Sequence, residues 1–133
     1  MDCIELKELI RNRIAVLDGA MGTMIQRAGL SESDYRGSRY ADAKCEMKGC
    51  NDALVFTRPD VIADIHRQYL AAGADIIETD SFNANAISLS DYGIESDVYE
   101  INFEAAKLAR SVVAECSERK WVAGSVGPTN KSL

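Results

Sequence analysis

Long apolar runs are missing from this sequence. No window approaches the ~18 consecutive apolar residues that a membrane span requires. Basic runs are missing as well. Lys and Arg number 15 against 21 Asp and Glu, a net charge of −6. Nothing here would gather a phosphate backbone, which argues against nucleic acid as a partner. Prolines number only two, and 47% of residues are hydrophobic and 27% charged, so the chain reads as one ordered domain over 1–133. Histidine occurs once, and the four cysteines (Cys3, Cys45, Cys50, Cys116) fall at irregular intervals. Such spacing does not suit a disulfide framework. The opening Met1-Asp2-Cys3-Ile4-Glu5-Leu6-Lys7-Glu8 has neither the basic start nor the apolar stretch of an export signal. The expectation is a reducing, cytoplasmic setting.

What is present is an alternation of two periodicities. Ile4, Leu6, Leu9 and Ile10 recur at roughly helical spacing. Ile14-Ala15-Val16-Leu17 is a short continuous apolar run closed by Asp18-Gly19, the pattern of a parallel strand buried on both faces. A helical turn is expected over Met24–Ala28. Residues 31–56 are polar, charged and largely without period, and are expected to form a long inserted surface loop. At Thr57-Arg58-Pro59-Asp60 a helix should begin, with Thr57 as its cap and Val61, Ile62, Ile65, Tyr69 and Leu70 as its apolar face. Gly73 should stop it.

A second strand is expected over 74–79, a weak helix over 86–91, and a long helix over 97–117 with the stripe Val98, Ile101, Ala105, Leu108 and Val112. Asp97 and Glu100 form its expected capping pair. Trp121 to Val126 reads as a third strand, with Trp121 closing the bottom of the core. The order helix, then strand–helix twice, then strand is α/β with parallel strands. Three strands with two crossovers can form a small sheet; an eight-stranded barrel needs about 250 residues, so the other reading is the first three βα units of a (β/α)8 barrel, incomplete in this chain.

Parallel α/β folds collect functional groups at the carboxyl ends of their strands. Here those ends carry Asp18-Gly19, Thr79-Asp80-Ser81 with Asn83, and Thr129-Asn130. Gly19-Ala20-Met21-Gly22-Thr23 lacks the third glycine of a dinucleotide fingerprint and the Gly-Lys-Ser/Thr ending of a phosphate loop. Its amides at a helix start still favour an anion. With the carboxylate of Asp18 beside them, they suit a zwitterion, the backbone end of an amino acid. A tight structural turn is the plainer alternative. Cys45 and Cys50 supply only two ligands with no histidine near in sequence, so surface thiols are expected there rather than a metal site. His66 falls on the apolar side of its helix, where packing or a hydrogen bond is expected. Asp2, Glu5, Glu8 and Glu32 read as solvated surface.

Several segments carry a resemblance. Leu17-Asp18-Gly19-Ala20-Met21-Gly22-Thr23-Met24-Ile25-Gln26, Asp34-Tyr35-Arg36-Gly37 and Lys48-Gly49-Cys50-Asn51-Asp52 lie in order along the chain. Arg58-Pro59-Asp60-Val61-Ile62, Gly73-Ala74-Asp75-Ile76-Ile77-Glu78-Thr79, Glu100-Ile101-Asn102-Phe103 and Gly127-Pro128-Thr129-Asn130 follow. From about residue 5 onward these resemble the opening of the homocysteine S-methyltransferase domain of the cobalamin-dependent methionine synthases. The resemblance implies a (β/α)8 barrel that binds homocysteine, zinc that holds its sulfur as a thiolate, and methylcobalamin as methyl donor. It places the amino and carboxylate groups of homocysteine on Asp18, Gly19 and Ala20, and puts Asp80, Asn83 and Asn130 at the rim. The family's zinc ligands are three cysteines, one beyond the third strand and two in a later Gly-Gly-Cys-Cys. Neither Cys45 nor Cys50 matches them.

The expected partners are therefore homocysteine and, in a whole enzyme, the remaining barrel with its folate and cobalamin modules. By itself the chain is expected to hold no catalytic zinc, to transfer no methyl group, and either to self-associate through unpaired edges or to stay loosely packed. Two other readings stand beside this one. The first is a non-catalytic short α/β protein that binds an amino acid or only associates with itself. The second is a related zinc methyltransferase with another donor.

Overall fold

A computed structural model describes residues 2–132. The expectations for the side chains of Asp2, Cys3 and Ile4 lie outside the described residues. Helix α1 (Asp2–Asn12) leads into a segment that meets the second strand at one parallel bridge, Leu17 to Ile76. Strands β1 (Ile76–Glu78) and β2 (Trp121–Ala123) pair in parallel, Ile77 opposite Val122. The three segments thus lie side by side in chain order, with β1 in the middle. Helices α2 (Met21–Ala28), α5 (Pro59–Ala71) and α7 (Val98–Val113) fill the connections. Among the described residues no helix is long and apolar enough to cross a membrane.

The α/β order and the parallel sheet are as expected, and three parallel segments make an open sheet, not a closed barrel. Several details differ. The run at 14–17 is not buried on both faces: Ile14 is 86% exposed, and Val16 and Leu17 are about half exposed. Only one of the sheet's faces is covered. Ile77, at 0% exposure, packs with Leu70, Ala74, Ala109 and Val112 beneath α5 and α7. Alternation sends Ile76 and Glu78 to the opposite, half-open face.

Residues 31–56 are also not a surface loop. Ser31 caps α3 (Glu32–Arg36) through a reciprocal bond with Asp34, and a 3-10 turn at Asn51–Ala53 runs into α4 (Leu54–Thr57). Tyr35, Tyr40, Met47, Cys50, Leu54 and Val55 are buried in the main core with Ile25, Ile62, Leu89 and Ile101. Polar staples give this segment its shape. Glu32, expected as solvated surface, is half-buried and accepts from Arg36 Nε at 2.7 Å, Met47 N at 2.8 Å and Lys48 N at 2.7 Å. Arg36 in turn donates to the carbonyls of Ala43 at 2.8 Å and Cys45 at 2.9 Å.

Helix α5 begins at Pro59 with Arg58 as its cap residue, because Thr57 is still the last residue of α4. Its apolar face is as expected, and Gly73 past its end has φ 106, a conformation that favours glycine. Asn85, rather than a weak start, caps α6 (Ala86–Ser90) by accepting from Ser88 N at 2.9 Å. Helix α7 is shorter than expected, and its Asp97–Glu100 pair is no capping box. Both carboxylates bind Arg39, whose guanidinium lies 3.8 Å over the Phe56 ring. His66 is fully buried by packing, yet neither ring nitrogen finds a hydrogen bond.

Asp75 holds the sheet's lower end. Its carboxylate, only 3% exposed, takes two hydrogen bonds of 2.7 Å from Arg13 and one of 2.9 Å from Val16 N. The Arg13 bonds first, then the Val16 amide, hold its acid well below the usual carboxylate range. A carboxyl depressed in the fold stabilises it above the ordinary value near pH 4 and loses that contribution as pH falls. Asp75→Asn is therefore expected to lower the melting temperature by several degrees at pH 7 and by less at pH 3, where part of the contribution remains because the folded value lies lower still. Thermal unfolding of the two proteins at both pH values tests this, and an unchanged difference would contradict it.

Candidate functional site

The three segments end together, and the groups beyond them are wired to one another. Thr79 N donates to Ala123 O at 3.0 Å, and Ser125 N donates to Thr79 Oγ1 at 2.9 Å. Ser81 Oγ gives its one proton to Ser125 O at 2.9 Å, so Thr79 is the donor in the 2.7 Å bond between the two hydroxyls. Gly127 N donates to Phe82 O at 3.0 Å, and a Cβ at Gly127 would overlap that carbonyl and the Phe82 ring. Only glycine admits this approach. On the first segment, Asp18 N donates to Ile76 O at 2.9 Å, and the Asp18 carboxylate accepts from Glu78 N at 3.0 Å.

The result is a cleft of about 370 Å³ at the carboxyl ends of the segments. Asp18, Gly19, Ala20, Asp80 and Asn83 line it, together with Met21, Asn51, Asp52, Glu78, Phe82 and Ser125. Five of the six expected site residues are thereby brought together. Asn130 is not among them. Its amide donates to the Asp91 carboxylate and lines a smaller neighbouring hollow with Cys50, Asp52, Asn83 and Tyr92. Sequence reasoning did not single out Asp52, Asn51, Glu78 or Ser125 as lining residues. Asn51 and Asp52 stood within a quoted motif, but nothing in their spacing marked them as lining a cleft formed 30 residues later.

The cleft is acidic. It has four carboxyl groups, and no Lys, Arg or His among the described lining residues. Burial pushes Asp18 up to about 6, against the lowering effect of the Glu78 amide, and one of its oxygens, Oδ1, is buried without a partner. Asp52 is buried and raised for the same reason, although Asn83 N donates to it at 3.0 Å. Asp80 is pushed well above the usual range, by burial first and by Asp52 second. On the other side of the cleft α2 begins at Met21. The N–H groups of a first helical turn have no intrahelical acceptor and carry a partial positive charge. The arrangement offers a carboxylate to a cation and backbone amides to an anion.

The cysteines are differently placed. Cys50 is buried, not on the surface as expected, and burial with Asp52 nearby pushes its thiol up to about 12. Cys45 Sγ donates to the Tyr92 carbonyl at 3.2 Å. Among the described residues no three His, Cys, Asp or Glu side chains stand together to hold a metal.

The homocysteine S-methyltransferase family model matches residues 15–133. The chain belongs to the homocysteine S-methyltransferase family. Its backbone is similar to that of the homocysteine methyltransferase MmuM from Escherichia coli. The metallated form superposes with a TM-score of 0.69 at 26% identity, and the oxidised form with 0.70 at 27%. Each match covers 92% of this chain but only 41% and 40% of the respective MmuM chain. The chain thus spans about two fifths of those homocysteine methyltransferase structures, consistent with an incomplete barrel.

A carboxyl raised in the fold holds its proton more tightly than in the unfolded chain. The stability this gives is present at low pH and is lost as pH rises through about 6. Asp18→Asn keeps an acceptor for Glu78 N without that loss. Urea unfolding at pH 4.5 and 7.5 is expected to show the variant gaining on the parent at the higher pH. A variant that loses ground there would contradict the assignment.

Proposed function

We propose that this chain forms the homocysteine-binding front of a homocysteine S-methyltransferase of the cobalamin-dependent methionine synthase type. One observation carries the reading. Asp18, whose Oδ1 is buried without a partner, lines the same cleft as Gly19, Ala20 and Met21 at the start of α2, at the polar end of a parallel sheet. An amino acid presents an ammonium and a carboxylate a few bonds apart. Asp18, ionised above about pH 6, takes the ammonium, and the amides take the carboxylate. Asp80 and Asn83 complete the wall, and Asn130 acts from the adjoining hollow. The family membership supports homocysteine as the amino acid.

The segments at 34–37, 48–52 and 127–130 support the cobalamin-dependent branch, with methylcobalamin as donor in the whole enzyme, methionine as product, and a cytoplasmic setting. When bound, zinc supplies a thiolate in place of the homocysteine thiol. The described residues do not fit that ion: Cys50 is buried and held as a thiol, and Cys45 is spent on a carbonyl. On this reading zinc, folate and cobalamin are held by the remaining barrel and its modules. Exposed Ile14, Val16, Leu17 and Val126 support a covering layer over the open sheet, which the rest of the barrel would supply and a second copy would imitate.

Calorimetric titration tests the reading. L-homocysteine is expected to bind at pH 7.5, and 4-mercaptobutanoate, which lacks the ammonium, to bind at least tenfold more weakly. Replacement of Asp18 by Ala should weaken L-homocysteine by roughly 10–100-fold, the worth of a charged hydrogen bond, and leave the analogue unchanged. Equal binding of the two compounds would refute the assignment.

A further inference from the structure

Asp80 is the cleft residue whose chemistry remains unexplained. Its side chain is nine-tenths buried, at 6% exposure, and Oδ2 has no hydrogen-bond partner. The titratable groups that act on it or feel its charge are Asp52 on the 3-10 turn, Cys50 just before it and Tyr35 on α3. Asp18 and Glu78 share the cleft wall. Every one of these is acidic or neutral, so no cation compensates a charge on Asp80. An ionised carboxylate kept out of water without a cation or a donor is far costlier than the protonated acid. A proton on Asp80 changes what the orphan oxygen can do, because a carboxylic acid donates where a carboxylate only accepts.

We propose that Asp80 stands in the cleft as a neutral carboxylic acid and donates a hydrogen bond to the carboxylate of the bound amino acid, while Asp18 takes its ammonium. This rests on the reading of the cleft as an amino-acid site. The two orphaned oxygens then have opposite hydrogen-bonding character, and a zwitterion satisfies both. An ionised Asp80 would instead repel the ligand's carboxylate. Asp80 is thus a binding residue for the α-carboxylate, as Asp18 is for the ammonium.

Protonation is read directly from the ¹³C chemical shift of the Asp80 carboxyl carbon, assigned with the Asp80→Asn variant and followed from pH 5 to 9. The expected result is a protonated shift at pH 7 in the parent chain, and an ionised shift there overturns the proposal. Binding of L-homocysteine supplies the second readout. Asp80→Asn, whose amide still donates, is expected to stay within about threefold of the parent at pH 7, and Asp80→Leu to lose about tenfold or more. Any weakening of the parent's binding on alkalinisation beyond that of the Asn variant reports loss of the Asp80 proton, since ligand ionisation is common to both. A Leu variant that binds like the parent overturns the donor role while leaving the amino-acid reading intact. Absence of homocysteine binding by the parent at any pH overturns that reading and the donor role with it.

Discussion

Registration of three parallel segments at Asp75 is the constraint on which the site depends. The side chain of this residue binds Arg13 and the Val16 amide, its own amide donates to Val16 O, and its carbonyl accepts from Trp121 N. One residue therefore fixes the first segment on one side and β2 on the other. With the lower end fixed, the three segments deliver Asp18, Glu78 and Ser125 to one cleft at their carboxyl ends. A slip of one residue would turn each of these side chains to the opposite face.

That convergence explains the electrostatics. Carboxyl groups from separate parts of the chain converge in one small cleft, where burial and mutual repulsion both oppose ionisation. The fold tolerates this because the adjacent backbone supplies donors: Glu78 N to Asp18 and Asn83 N to Asp52. The oxygens left over, Asp18 Oδ1 and Asp80 Oδ2, face no protein partner. Unsatisfied polar atoms of this kind weaken a fold, and on the proposed reading a bound amino acid satisfies these two.

Much of this was legible in the sequence where a single physical rule governs. The face of α5 and the stripe of α7 follow the 3.6-residue period, and Ile62, Ile65, Ile101 and Val112 are buried accordingly. The convergence of Asp18, Asp80 and Asn83 followed from the parallel order. Residues 31–56 were opaque because no period organises them. Their shape comes from Glu32 and Arg36 reaching between 7 and 16 residues along the chain to bare backbone groups, a pattern that composition reads as solvated charge. Asp52 was missed for the same reason: its place in the cleft is set by a long-range bond to Asn83 N. The strand at 14–17 reads as fully buried because it is apolar throughout, yet burial requires a second layer that this chain does not itself place over it.

The central claim is that the carboxyl ends of these segments hold an amino acid by its two charged ends. The most direct measurement is a ¹H–¹⁵N correlation titration of the chain with L-homocysteine at pH 7.5. The account predicts that the Gly19, Ala20, Met21, Glu78 and Asp80 amides shift together with one saturation curve, while those of α7 stay in place. No shifts, or shifts confined to α7 and β2, would contradict it.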